Sequence, residues 1–200
     1  MARKEASKPI KDIEQLKDIR DYLKAKNERD YVLFMLGIMT GYRAGDLVSL
    51  KVRDIKEALE VGKFIILESK KKNSNNIKEK NKRPRKAEII PELDKILREY
   101  IRNKSDYEYM FPSRKGNSYI NVERVSKILK EAANFFNMKN ITAHSMRKTY
   151  AYTIYINNDK DLLTVKELLG HSSINETKAY LGLDEELKKE YINTLKIFTK

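Results

Sequence analysis

The sequence predicts a mainly α-helical fold with one small antiparallel β-sheet. Three observations carry this. Apolar residues recur at spacings of three and four along most of the chain, the signature of amphipathic helices. The period turns strand-like in only two short blocks, Phe64–Leu67 and Ala87–Ile90. No internal repeat and no linker interrupts the 200 residues, a length that suits one domain.

The elements follow in order. Residues 1–9 read as a basic, flexible tail. Pro9 suits the first turn of a helix, and Ile10, Ile13, Leu16, Ile19 and Leu23 then form an apolar stripe. Asn27 and Glu28 break it. Tyr31 to Met39 is apolar on every face and reads as a buried helix, stopped by Gly41. A short helix over Ala44–Leu50 precedes the first strand. The second strand leads to a helix opened by Pro91 and running to about Asn103. Tyr109-Met110-Phe111-Pro112 is a short apolar anchor. Asn121 caps a helix to about Asn137. Further helices are expected over Thr142–Ile156, over Asp161–Leu169 (closed by Gly170) and over 174–180. Asp184 opens a final amphipathic helix, about 184–198, with Leu187, Tyr191, Leu195 and Phe198 as its stripe. Residues 10–200 are thus expected to form a single domain.

Charge points to a polyanionic partner. The net charge is +13, with 36% of residues charged and 40% hydrophobic. Cations that neutralise phosphates release condensed counterions, so such an excess favours nucleic acid. More than half of it lies in residues 69–86, SKKKNSNNIKEKNKRPRK, which carry an excess of eight positive charges between the two strands. This reads as a long hairpin tip whose crowded charge suits a nearby polyanion. The cations expected to touch DNA there are Lys71, Lys72, Lys78, Lys82, Arg83, Arg85 and Lys86.

Other classes fall away. With no cysteine, disulfides, thiolate nucleophiles and cysteine-zinc sites are excluded. The longest apolar run, Tyr31 to Thr40, is too short for a bilayer. The first residues carry no apolar signal-peptide core. A cytoplasmic protein without membrane contact is the expectation.

The chemistry-bearing residues are few. There are two histidines, His144 and His171. His144 and Arg147 stand three apart in T-A-H-S-M-R-K-T and share a helix face. His171 follows a glycine, and Tyr180 comes nine residues later in L-L-G-H-S-S-I-N-E-T-K-A-Y. Phosphodiester exchange needs a nucleophile, positive donors for the non-bridging oxygens and an acid for the leaving oxygen. Arginine is the preferred donor, because its planar fork matches two phosphate oxygens and stays charged. A tyrosine nucleophile conserves bond energy in a covalent intermediate. The chain offers Arg43 after a helix break, His144, Arg147, His171 and Tyr180, with hairpin lysines as a source of the acid.

The order and contexts of these residues resemble the tyrosine recombinase, or phage-type integrase, family over about residues 10–195. G-Y-R-A-G-D-L is similar to the family's first-arginine box at Arg43. F-I-I-L-E-S-K-K-K is similar to the strand leading to its lysine, best matched by Lys70. H-S-M-R matches the box of His144 and Arg147, and the last block supplies His171 and Tyr180. The resemblance implies the catalytic-domain fold of the DNA breaking–rejoining enzymes. It also implies roles. Tyr180 attacks the scissile phosphate to give a 3′-phosphotyrosyl link. Arg43 and Arg147 clamp the phosphate, with His171 donating to a non-bridging oxygen. Lys70 protonates the leaving 5′ oxygen and His144 assists proton transfer. It implies no metal and no cofactor, and a homo-oligomer, a tetramer, on double-stranded DNA, with a free monomer left open as one state off DNA.

Three departures stand out. Asp46 replaces the family's usual glutamate three positions after the first arginine, and is expected to support Arg43. Lys148 stands where the family often has histidine. The hairpin holds so many lysines that Lys71 or Lys72 competes with Lys70 as the acid. The family's common N-terminal helical domain has no counterpart ahead of Arg43. That suggests a short single-domain recombinase like the fimbrial invertases, or an excised catalytic domain. The competing readings are a type IB topoisomerase-like enzyme and an inactive DNA-binding accessory protein. A metal-free two-histidine ribonuclease leaves Tyr180 unexplained.

Overall fold

The computed structural model describes residues 6–69 and 84–183. The chain falls into two compact units, Met1–Tyr150 and Ala151–Lys200, the boundary lying within one helix. The lysine-rich stretch 70–83 and the expected final helix lie outside the described residues.

In the first unit, α1 (Ile13–Lys26) begins later than Pro9 suggests. Asp12 is its N-cap, accepting hydrogen bonds from the Glu14 and Gln15 amides at 2.8 and 3.1 Å. A side-chain cap satisfies amides that have no helical partner, so it outweighs the weaker preference of Pro9. Pro9 instead lies in a lead-in whose Lys8 amide bonds the Asn140 carbonyl and whose Ile10 amide bonds Thr149 Oγ1 at 2.9 Å. Asn27 ends α1 and caps α2 (Glu28–Thr40).

The second helix is central. Val32, Leu33, Phe34, Met35 and Leu36 are all buried, and α2 packs against α1, α3 (Ala44–Val48) and the later α5. Each fully buried side chain of this kind contributes about 1.5–3 kcal/mol. Gly37 lets α2 approach closely, since an added Cβ would lie 2.6 Å from the Met146 sulfur.

An unanticipated helix follows, α4 (Val52–Val61). Its signals are present: Val52, Ile55, Ala58 and Leu59 form a buried stripe, Asp54 accepts from the Lys51 amide, and Gly62 closes it. Strands β1 (Lys63–Ile66) and β2 (Arg85–Glu88) pair antiparallel, with Phe64 opposite Ala87 and Ile66 opposite Arg85. Both begin earlier than expected, β2 by two residues. Alternation sets the register more than apolar content does: Arg85 and Ala87 face inward, Lys86 and Glu88 outward.

The remaining elements are α5 (Pro91–Ile101), α6 (Val122–Phe135) and α7 (Ala143–Asn157). Met110 and Phe111 are fully buried, as the apolar anchor requires. The second unit carries α8 (Leu162–Leu169), capped by Asp161, and α9 (Ile174–Leu181), capped by Ser173. No described helix is long and apolar enough to cross a membrane.

Candidate active site

Arg43 owes its position to the end of α2. Gly41 takes φ +64°, the left-handed conformation that ends a helix. An added Cβ would also lie 2.3 Å from the Tyr150 ring, so glycine is required twice over. The chain turns there and places Arg43 at the N-cap of α3. Tyr42, adjacent in sequence, points the other way: it is fully buried and its hydroxyl donates to the Arg85 carbonyl at 2.6 Å. Burial pushes its pKa up to about 12, and with no exposed surface its hydroxyl is out of reach of a substrate.

Arg147 reaches the same turn from α7. It is 2% exposed, and its Nη1 donates to the Gly41 carbonyl at 2.7 Å and to Glu68 Oε1 at 2.5 Å. Glu68, itself wholly buried, contacts Arg43 Nη1 through its other oxygen at 2.6 Å. That second contact is an ion pair without hydrogen-bond alignment. One carboxylate therefore bridges two guanidinium groups that stand 104 positions apart in sequence.

Glu68 was not anticipated, and the partner of Arg43 differs from expectation. Asp46 Oδ1 accepts from the Ser69 amide at 2.8 Å and from the Ser69 hydroxyl at 2.5 Å. Its carboxylate thus anchors the chain just after β1, while the ion pair to Arg43 comes from Glu68. The shorter acid is already committed to Ser69. A buried carboxylate almost always has a cationic partner, but Glu68 in sequence precedes a lysine run and looks like a surface residue.

His144 opens α7. The Thr142 amide donates to Ser145 Oγ, and the His144 amide donates to Thr142 Oγ1. The imidazole is solvent-accessible, yet desolvation holds its pKa below the usual histidine range, and the like charges of Arg43, Lys148 and Arg147 push the same way. It is neutral near pH 7 and able to take up a proton. Burial also lowers the Lys148 ammonium below its ordinary range.

In the second unit, His171 and Tyr180 stand together, ring centroids 5.1 Å apart and edge to face. The Thr177 hydroxyl donates to the Ser173 carbonyl at 3.3 Å, so its oxygen accepts from His171 Nδ1 at 3.0 Å. With the hydrogen on Nδ1, Nε2 is an acceptor in the neutral ring and a donor in the imidazolium. Glu176 Oε2 accepts from the Ser172 amide and hydroxyl, fixing the turn before α9.

Among the expected DNA contacts, Arg85 is corrected. It is 6% exposed, its guanidinium stacks 4.3 Å from the Tyr42 ring centroid, and Nη2 donates to the Thr40 carbonyl. Inward alternation of β2 takes it into the core. Lys86 is exposed on the opposite face. Lys70, Lys71, Lys72, Lys78, Lys82 and Arg83 lie outside the described residues. Among the described residues no group of three or more acidic or histidine side chains has the geometry to hold a metal ion.

In the first unit, two arginines joined at one turn with a histidine beside them are donors suited to a phosphate; the second unit carries its own histidine–tyrosine pair. Comparisons with known proteins agree. The chain matches the phage integrase family over residues 10–186. It is 32% identical over 178 residues to the probable integrase/recombinase YoeC of Bacillus subtilis (strain 168), covering 89% of this chain and 91% of YoeC. It is 26% identical over 173 residues to tyrosine recombinase XerC of Caldanaerobacter subterraneus subsp. tengcongensis, covering 83% of this chain and 44% of XerC. The solved XerH site-specific recombinase, bound to a palindromic difH substrate in a post-cleavage complex, matches with a TM-score of 0.64 at 23% identity, over 98% of this chain and 54% of that one. The chain belongs to the phage integrase family, and its fold is that of a tyrosine recombinase catalytic domain. It spans nearly all of YoeC and about half of the XerC and XerH chains.

Proposed function

We propose that this protein is a site-specific recombinase that cuts and rejoins double-stranded DNA through Tyr180. The observation that carries this reading is the pairing of Arg43 and Arg147 on Glu68. Folding spends a buried carboxylate to hold two guanidinium groups at one turn, and two such forks suit a phosphate.

The Tyr180 oxygen attacks phosphorus as its phenolic proton passes to a neutral base, for which His144 is the proposed acceptor, and the bond from phosphorus to the 5′ oxygen breaks. The 3′ side stays on the enzyme as a phosphotyrosyl ester. The 5′ oxygen takes a proton from a lysine of the stretch between β1 and β2, with Lys70 as the proposed donor, and leaves as a hydroxyl. Arg43 and Arg147 stabilise the charge that builds on the non-bridging oxygens. His171 assists through Nε2–H, which the Thr177 bond makes available only in the imidazolium. His144, held neutral, assists proton transfer. Attack by a 5′ hydroxyl on the ester reverses the step without ATP. Exchange between two duplexes breaks four strands, one per Tyr180, which supports a tetramer on DNA. XerH, which shares the fold, was captured on its difH substrate after cleavage.

The test is covalent capture. The purified protein is incubated with a pool of nicked duplexes of randomised sequence, then denatured. A DNA adduct is expected with the wild type and none with Tyr180→Phe, which still binds DNA. An adduct that survives Tyr180→Phe, or none with the wild type, sinks the assignment.

A further inference from the structure

We infer that Glu68 is a positioning residue that makes Arg43 and Arg147 act as one group. The inference rests on the function proposed above. Its two oxygens serve two different guanidinium groups, at 2.6 and 2.5 Å. It is itself fully buried. Arg147 is 2% exposed, whereas the Arg43 side chain is 26% exposed. The carboxylate therefore lies beneath the arginines, on the protein side, while Arg43 keeps an outward face. The next residue, Ser69, is locked to Asp46 through both its amide and its hydroxyl, so the backbone beside Glu68 is fixed to α3. Arg147 is fixed to Gly41 through the same nitrogen that meets Glu68. Arg147 and the backbone beside Glu68 are thus each held by a further bond to a different element.

Electrostatics gives the bridge a purpose. Two guanidinium groups this close repel, and burial strengthens the repulsion. A shared carboxylate removes it and leaves the trio with a net charge of one positive unit. A phosphodiester carries one negative charge, and the five-coordinate state in transfer carries two. The trio matches the ground state and leaves unsatisfied attraction for the charge that develops, so it favours the transition state over the bound substrate. The same carboxylate fixes the angle between the forks before DNA arrives, as a preorganised site requires.

Glu68→Gln tests this, because it keeps the size and one acceptor oxygen but removes the charge and turns the second acceptor into an amide donor. The probe is the duplex recovered by the wild type in the covalent-capture experiment. The folded variant is expected to form the Tyr180 adduct at least tenfold more slowly at saturating DNA, with DNA affinity unchanged or tighter. In the Arg43→Lys background the same change is expected to cost less than it does alone, since part of its action runs through that arginine. A wild-type adduct rate in Glu68→Gln, weakened DNA affinity in step with the rate, or a loss that adds in full to that of Arg43→Lys overturns the inference. If Glu68→Gln does not fold, Glu68→Asp takes its place in the same cycle. That side chain keeps the charge but reaches only one guanidinium, and a wild-type rate for it overturns the inference as well. A wild type that forms no adduct rejects the functional reading, an outcome distinct from all of these.

Discussion

The arginine region and the tyrosine region are held by different forces. Arg147 is sealed in the first unit, and a buried carboxylate and a main-chain carbonyl fix its Nη1. Its partner Arg43 sits at a turn that only glycine can make. His171 and Tyr180 belong to a lighter construction. Tyr180 rides on α9, eight residues long, and a helix this short has little stability of its own. Its neighbours meet through neutral hydroxyl bonds, His171 to Thr177 and Thr177 to the Ser173 carbonyl. The arginine pair is anchored on a buried carboxylate, and Tyr180, the proposed nucleophile, is carried on a short helix. Charge stabilisation needs fixed dipoles that do not reorganise. A nucleophile that must both attack phosphorus and later release it benefits from a lighter hold.

The largest effect separates the two regions directly. Arg147→Ala leaves Glu68 buried with one partner and the Gly41 carbonyl without its donor. Truncating one member of a buried pair costs about 3–5 kcal/mol. His171→Ala removes, among its contacts, the neutral bond to Thr177, worth about 1 kcal/mol. Both variants are expected to lose DNA cleavage, but only Arg147→Ala should also unfold early in urea. Equal destabilisation breaks the contrast.

Gly41→Ala comes next. The substitution forces an alanine to φ +64° and its Cβ into the Tyr150 ring, for a combined cost of about 2–4 kcal/mol. Thermal unfolding measures it. A loss below about 1 kcal/mol would show that the turn relaxes, and that the arginine region is less rigid than its bonds suggest.

The same contrast explains what the sequence disclosed. Most of the described helices and most residues of the candidate site were legible, because periodicity, caps and short boxes are local signals. Arg43, His144, Arg147, His171 and Tyr180 all stand in such boxes. What was hidden depends on which face is buried. The α4 stripe of Val52, Ile55, Ala58 and Leu59 was present, but charged residues between its members masked it. Arg85 sat among basic residues and looked like a phosphate contact, yet the strand register turns it inward. Glu68 had no local sign at all, since its partners come from the end of α2 and from α7, far along the chain. Long-range ion pairs leave no pattern in one segment.

Thr177→Val sharpens the tyrosine side with a smaller effect. It keeps the volume but removes the acceptor for His171 Nδ1. The ring loses its fixed tautomer and orientation. Cleavage is expected to slow about tenfold, equivalent to ~1.4 kcal/mol, with DNA affinity unchanged and stability lowered by no more than about 1 kcal/mol. An unchanged cleavage rate means that Thr177 does not orient His171.

The smallest effect concerns protons on the arginine side. His144 has its pKa lowered in the folded protein by desolvation and by Arg43, Lys148 and Arg147. Below the ordinary histidine pKa of about 6.5, the unfolded chain binds a proton that the folded chain resists. The unfolded state then carries more protons, so stability rises with pH in this range and falls as pH drops from about 6.5 through the lowered folded value. Above it the histidine is neutral in both states and contributes no slope. His144→Gln removes the proton and should flatten the stability profile between about pH 6.5 and 5 while leaving it unchanged at pH 8. Urea unfolding at a series of pH values measures this. A wild-type slope of the opposite sign, or one that persists in His144→Gln, would place the titrating group elsewhere. The same proton would add a charge beside two arginines and Lys148, the cluster that Glu68 balances, so the acid limb should be steeper in Glu68→Gln than in the wild type.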